Sequence, residues 1–184
     1  MSDFDRDPRR KQELVGRPIA DILYRQVFGD GIEITRMERT EQAVLDIRFA
    51  IDVQIALPTG NILLGQEKFL SHEYAHYRSV TVEHLQNQFT GEHGDWFKLA
   101  PQIYFVGYFT EDNTAFWPWV LLNWANVVIA TLSDDVPWMD NNNRNGRAKA
   151  SFRYCPMSAF PSWCVVAGDF ARKQREAQTQ AVLI

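Results

Sequence analysis

Thirteen consecutive residues, Leu45 to Leu57, alternate between apolar and mostly polar side chains: Leu45, Ile47, Phe49, Ile51, Val53, Ile55 and Leu57 against Asp46, Arg48, Ala50, Asp52, Gln54 and Ala56. Successive side chains of a strand point to opposite sides, so this pattern predicts an extended strand with one buried face. Pro58-Thr59-Gly60-Asn61 is turn chemistry, and Ile62–Leu70 is a second apolar run. The segment therefore predicts a β-hairpin. Folding it about the turn pairs residues whose numbers sum to about 118 or 119. Asp52 then lies opposite Gln66 or Glu67, with Lys68 one pleat further on.

Around the hairpin the chain reads as one α/β domain. Residues 1–12 read as a flexible polar arm and residues 13–184 as a single domain. Pro18 to Phe28 predicts a helix: Ile19, Ile22, Leu23, Gln26 and Val27 follow the helical period, and Gly29 suits its end. Ile32–Arg39, Ser79–Val82, Gln102–Phe109, Trp119–Leu122, Ser151–Tyr154 and Cys164–Ala167 are strand candidates. Ser71 can cap a short helix over His72–Tyr77. Gly91–Asp95 reads as a loop, Asp134–Arg147 as a long exposed loop, and Asp169 as the cap of a polar C-terminal helix.

Composition limits the function classes. A chain of 184 residues with 46% hydrophobic residues buries enough surface to fold without disulfides or a structural metal. Cys155 and Cys164 form no CxxC pair and read as buried, reduced thiols. Met1–Lys11 is polar with no apolar core, unlike a signal peptide. The longest apolar stretch, Phe116–Leu132, is interrupted by Pro118, Asn123 and Asn126, unlike a membrane span. The expected location is cytoplasmic and reducing, with no membrane partner. A net charge of −4 argues against a general nucleic-acid coat but leaves room for a locally basic cleft.

The hairpin gathers a carboxylate, a second oxygen donor and an ammonium. Hard cations such as Mg²⁺ take oxygen ligands of this kind, and a lysine beside them can stabilise negative charge or orient a metal-bound water. Asp46 shares the strand face of Asp52, but six residues separate the two by about 20 Å, too far for one metal. Ala50 and Gly65 are small residues beside the site, where a substrate backbone has room to approach.

Asp52, a gap of thirteen residues, and then Gln66-Glu67-Lys68 on the next strand resemble the PD-(D/E)xK nuclease superfamily. The resemblance spans about residues 18–110. It implies a restriction-endonuclease-like α-β-β-β-α-β core with a central mixed sheet, and hydrolysis of DNA or RNA phosphodiesters with Mg²⁺ or Mn²⁺. Asp52, Gln66 and Lys68 would be the catalytic residues, with Asp52, Gln66 and Glu67 the candidate metal ligands. Two departures stand out. Ile51 occupies the place of the motif's proline, and Gln66 that of its second acid. An amide oxygen can ligate Mg²⁺ but carries no charge, so Gln66 suits either an active variant or a decayed, non-catalytic binding or assembly protein. The oligomeric state is open, a homodimer included.

A competing motif follows at once. His72-Glu73-Tyr74-Ala75-His76 matches HExxH, in which two histidines one helical turn apart hold zinc and the glutamate activates water. Glu83, eleven residues beyond His72, would return to the same face of a continuing helix. Against a zinc peptidase, Val80-Thr81-Val82 is β-branched and ends the helix early. His72, His76 and Arg78 are alternatively phosphate contacts beside the active strand. Arg144, Arg147, Lys149 and Arg153 form a basic run, more often a solvated loop than a backbone grip. Tyr104, Phe105, Tyr108, Phe109, Phe116, Trp117, Trp119 and Trp124 read mostly as core rather than as base-stacking platforms.

Overall fold

The computed structural model describes residues 8–37, 48–141 and 150–170. Asp46, Arg144, Arg147, Lys149, the first seven residues of the expected arm and the expected C-terminal helix after Phe170 lie outside these. Helix α1 is Pro8–Phe28, so residues 8–12 are helical. Pro18 sits inside α1 and removes one intrahelical N–H. Packing carries the helix across it: Gly16 meets the sheet so closely that a Cβ there would lie 2.6 Å from Phe69 Cδ2. Gly16, Ala20 and Tyr24, spaced by four, form the buried stripe of α1, while Ile22 and Gln26 face outward. Small residues let the helix approach, a signal that a count of apolar positions misses.

Strands β1 (Glu33–Arg36), β2 (Val53–Ala56) and β3 (Ile62–Leu70) form an antiparallel meander. The β2–β3 register pairs Val53 with Gly65 and Ala56 with Ile62, in agreement with the predicted hairpin. The long alternating run is not one strand, however. Arg48 and Phe49 are helical, Ala50 takes a left-handed φ of 49°, and β2 covers only the last part of the run.

After β3 the chain leaves the sheet. A 3₁₀ helix over His72–Tyr77, capped by Ser71, leads into β4 (Ser79–Asn87), β5 (Glu92–His93) and a 3₁₀ turn at Asp95–Phe97. Strand β6 (Ile103–Phe109) then returns parallel to β3. Next come β7 (Phe116–Asn123), helix α2 (Trp124–Leu132), β8 (Met139–Asn141), β9 (Ser151–Pro156) and β10 (Val165–Asp169). The result is mixed α/β. A six-stranded mixed sheet has the order β1-β2-β3-β6-β7-β10, and a second, four-stranded sheet has the order β5-β4-β9-β8. No α-helix bridges β3 and β6; strands of the second sheet do so instead. The expected loops at Gly91–Asp95 and Asp134–Arg147 therefore contribute β5 and β8.

Two cores lie on opposite faces of the large sheet. On one face, Val53, Ile55, Ile103, Phe105 and Phe109 pack against Ala20 and Tyr24 of α1. On the other, Tyr104, Val106, Tyr108, Val120 and Leu122 pack against Val80 and Val82 of the second sheet and Trp124 and Val127 of α2. The aromatic run is thus largely core, as its spacing predicts. No helix among the described residues is long and apolar enough to cross a membrane.

Cys155 and Cys164 are free and buried. Burial pushes the Cys155 thiol up to about 12. Between the ordinary thiol range and that value the unfolded chain loses a proton that the native state keeps. The native state then binds more protons, and stability falls as pH rises across this window. Burial also raises Tyr24 and Tyr104, which act in the same sense at higher pH. Both thiols are expected to resist a disulfide reagent at pH 8 until denaturant is added, and Cys155→Ala should reduce the loss of urea midpoint between pH 8 and pH 10.

Candidate metal centre

Asp52 enters the sheet just ahead of β2. Its N–H donates to the Gly65 carbonyl at 2.8 Å, and its carbonyl accepts from Met37 N–H at 2.8 Å. The left-handed turn at Ala50 brings the chain to this point. Gly65 is already the partner of Val53, so the chain steps out of the β2–β3 register at Asp52. The Asp52 carboxylate is held by the sheet itself, because Oδ2 accepts from the Glu67 backbone N–H at 3.0 Å.

Strand alternation then sorts the side chains. Gln66 and Lys68 pair laterally with Tyr104 and Val106 of β6 and share their face, and the charge of Asp52 reaches Tyr104. Gln66 and Lys68 thus share one face, and the Asp52 carboxylate meets the backbone between them at Glu67. Gln66 Oε1 is buried and has no hydrogen-bond partner among the described residues, while Gln66 Nε2 lies 3.5 Å from the Glu67 carbonyl. Leaving a buried carbonyl-type oxygen unmatched costs about 1–3 kcal/mol. Such an atom beside a carboxylate suits a cation.

Glu67 does not join them, which corrects its place among the candidate ligands. It lies one position along the strand and projects to the α1 face. There Arg36 Nε donates to Oε2 at 2.9 Å and Arg36 Nη2 to Oε1 at 3.1 Å. The same guanidinium reaches Asp21 of α1 at 2.6 Å. The Glu67 side chain is 4% exposed and that of Arg36 10%. Burial raises the Glu67 pKa while Arg36 opposes it. Its role is to tie β1, β3 and α1 together. Gly65 faces this side too: a Cβ there would lie 2.8 Å from Val53 Cγ1 and 3.0 Å from Ile103 Cγ1. Its small size serves strand packing and not substrate approach.

The second sheet supplies residues that local sequence patterns did not reveal. The Lys68 ammonium sits 5.5 Å from the centroid of the Phe152 ring. Phe152 on β9 is directly opposed to Glu83 on β4. Tyr104 donates to the Thr81 carbonyl at 3.1 Å, and its phenol pKa is raised by burial and by the nearby charges of Asp95 and Asp52. Only the pairing of β4 with β9 assembles this set.

HExxH fares differently. His72–Tyr77 is a 3₁₀ helix that ends at Arg78, a left-handed residue. At three residues per turn, positions four apart point about 120° away from each other. His72 and His76 thus do not share a face, and β4 rather than helix carries Glu83. His76 Nδ1 lies 2.8 Å from the Glu73 carbonyl. Arg78 stacks over Trp117 at 4.9 Å. Arg153 pairs with Asp140 at 3.0 Å and lies over Trp96 at 4.7 Å. Among the described residues no group of three or more His, Cys, Asp and Glu is placed to hold a metal ion.

No family model, curated protein or solved structure matches the chain.

The two faces of β3 are separable by mutation. Removing one partner of a buried ion pair costs about 3–5 kcal/mol, because the other charge stays behind uncompensated. Arg36→Ala should lower stability by about that amount in urea denaturation, and pairing Arg36→Met with Glu67→Leu should recover most of it. Glu67→Gln should leave divalent-cation binding unchanged, the opposite of the result expected for a ligand.

Proposed function

We propose that this chain is a Mg²⁺- or Mn²⁺-dependent nuclease of the PD-(D/E)xK type that hydrolyses phosphodiester bonds of DNA or RNA. The observation that carries the reading is the meeting of the Asp52 carboxylate with the β3 backbone between Gln66 and Lys68, with the buried Gln66 Oε1 unmatched among the described residues. The order α1-β1-β2-β3, followed by a fourth strand parallel to β3, supports it as well. The crossover through strands, in place of an α-helix, departs from the expected core.

Asp52 and Gln66 fit a hard cation through their oxygens. A divalent cation supplies a Lewis acid for the phosphate and a more acidic water. Asp52 holds its carboxylate in a set position through the Glu67 N–H. Lys68, set against Phe152, offers an ammonium to the charge that develops on the phosphate and to the attacking water. Gln66 adds an oxygen without adding charge.

That last point favours a second reading, a non-catalytic protein of the same fold that binds nucleic acid. Fewer charged ligands weaken cation binding, and Mg²⁺ gives up its waters reluctantly. Cleavage is expected to need millimolar Mg²⁺ or to prefer Mn²⁺. Asp52→Ala and Lys68→Ala should each abolish it with little change in thermal stability, and Gln66→Glu should keep or raise it. Assays on single-stranded, double-stranded and branched substrates across a metal series decide between the readings. Wild-type protein that binds these substrates and never cuts them supports the second.

A further inference from the structure

Three aromatic rings stack at the β5 edge of the second sheet. His93 of β5 lies 4.0 Å from Phe97 with 19° between the ring planes, and His84 of β4 lies 5.2 Å from it at 28°. The stack is open to water: Phe97 is 50% exposed and His93 is exposed. The backbone fixes these rings in place. Gly94 N–H donates to the His84 carbonyl at 2.9 Å, and Phe97 N–H donates to the Gly94 carbonyl at 3.3 Å. Gly94 lets the turn close on β4, since a Cβ there would lie 2.7 Å from the Glu83 carbonyl oxygen. Trp96 anchors the turn from the core side, edge-on to Trp124 and Trp138. Beyond the turn, Ala100 N–H donates to the Phe49 carbonyl at 3.1 Å, three residues ahead of Asp52. The stack therefore flanks the candidate metal centre.

We propose that Phe97, flanked by His93 and His84, is a stacking platform for unpaired nucleobases, which makes single-stranded DNA or RNA the substrate class of this centre. The proposal rests on the nuclease reading above and deepens it. Flat rings set nearly parallel and held by backbone hydrogen bonds present the surface on which a base can lie at little ordering cost. Every base has such a face, so the platform is tolerant of sequence. A base inside a duplex has both faces covered by its neighbours and cannot use it. Cations border the rings: Lys98 follows Phe97 and pairs with Asp95 at 3.0 Å, and Arg153 lies over Trp96 at 4.7 Å and pairs with Asp140. Surface ion pairs of this kind are weak, so a phosphate backbone can compete for both cations.

The test is binding of the full chain to fluorescein-labelled oligothymidine and oligouridine in EDTA, read by anisotropy, with circular dichroism confirming the fold of each variant. Phe97→Ala is expected to weaken binding about tenfold, the size of one lost base stack. Phe97→Leu, which keeps apolar bulk without a π face, should lose as much and serves if Phe97→Ala does not fold. Phe97→Tyr should bind like wild type. An abasic strand of equal length keeps the phosphates, so wild type and Phe97→Ala should bind it equally. A blunt duplex should bind more weakly than the single strand and should not respond to Phe97→Ala. Wild-type affinity of Phe97→Leu and Phe97→Ala for the single strands overturns the platform. So does an equal loss on the abasic strand, or self-association of wild type that Phe97→Ala abolishes with nucleic-acid binding unchanged. Mn²⁺-dependent cleavage that Asp52→Ala removes keeps the nuclease reading standing in those cases. Base-dependent binding with no cleavage in any metal supports the platform and overturns the nuclease reading instead.

Discussion

Pairing β3 in parallel with β6 is the constraint on which this structure turns. Antiparallel strands can be joined by a tight turn, but parallel neighbours oblige the chain to leave the sheet and come back. In most α/β proteins a helix makes that journey. Here the excursion from Ser71 to Pro101 is made of 3₁₀ turns and strands, and β4 recruits β9 and β8 from much later in the chain. The crossover thereby becomes a second sheet. One of its faces completes a hydrophobic core through Val80 and Val82, and the Phe152 side of its β9 strand borders Lys68.

Strand β3 answers to both sides at once. Gly65, Glu67 and Phe69 serve the α1 side by close packing, an ion pair and ring stacking, with Phe69 and Phe116 centroids 5.2 Å apart. Gln66 and Lys68 serve the other. A one-residue slip would exchange the two sets. It would bury Lys68 beneath the helix and strand Arg36 without its carboxylate. The Arg36 pair with Glu67 and Asp21 thus specifies register as well as joining elements.

The hairpin and the shared face of Gln66 and Lys68 were legible because they depend on period two and one turn. The choice between Gln66 and Glu67 was not, since it depends on whether the pair sum is even or odd, and only the observed pairing of Val53 with Gly65 settles that. The strand expected from Leu45 was too long because alternation is blind to backbone handedness, and Ala50 breaks the run by turning left-handed. Helix α1 was set too short because Pro18 reads as a start, whereas contact with Phe69 carries the helix through it. HExxH was a match of letters, and six residues of 3₁₀ helix change which side chains share a face. Glu83 was noticed only as a possible helical partner of His72. Its partner Phe152 is about 70 residues away, and no local pattern announces a pairing at that distance.

That separation has a kinetic side. The β2–β3 hairpin closes a loop of only a few residues, whereas β4 and β9 must find each other across more than a third of the chain. Long-range pairings form late, because loop closure has to be met before any contact rewards it. The hairpin with Gln66 and Lys68 can therefore form early, while Phe152 of β9 reaches Lys68 only with the late pairing. The contact of Lys68 with Phe152 is therefore a mark of the finished molecule, made only once both sheets are in place.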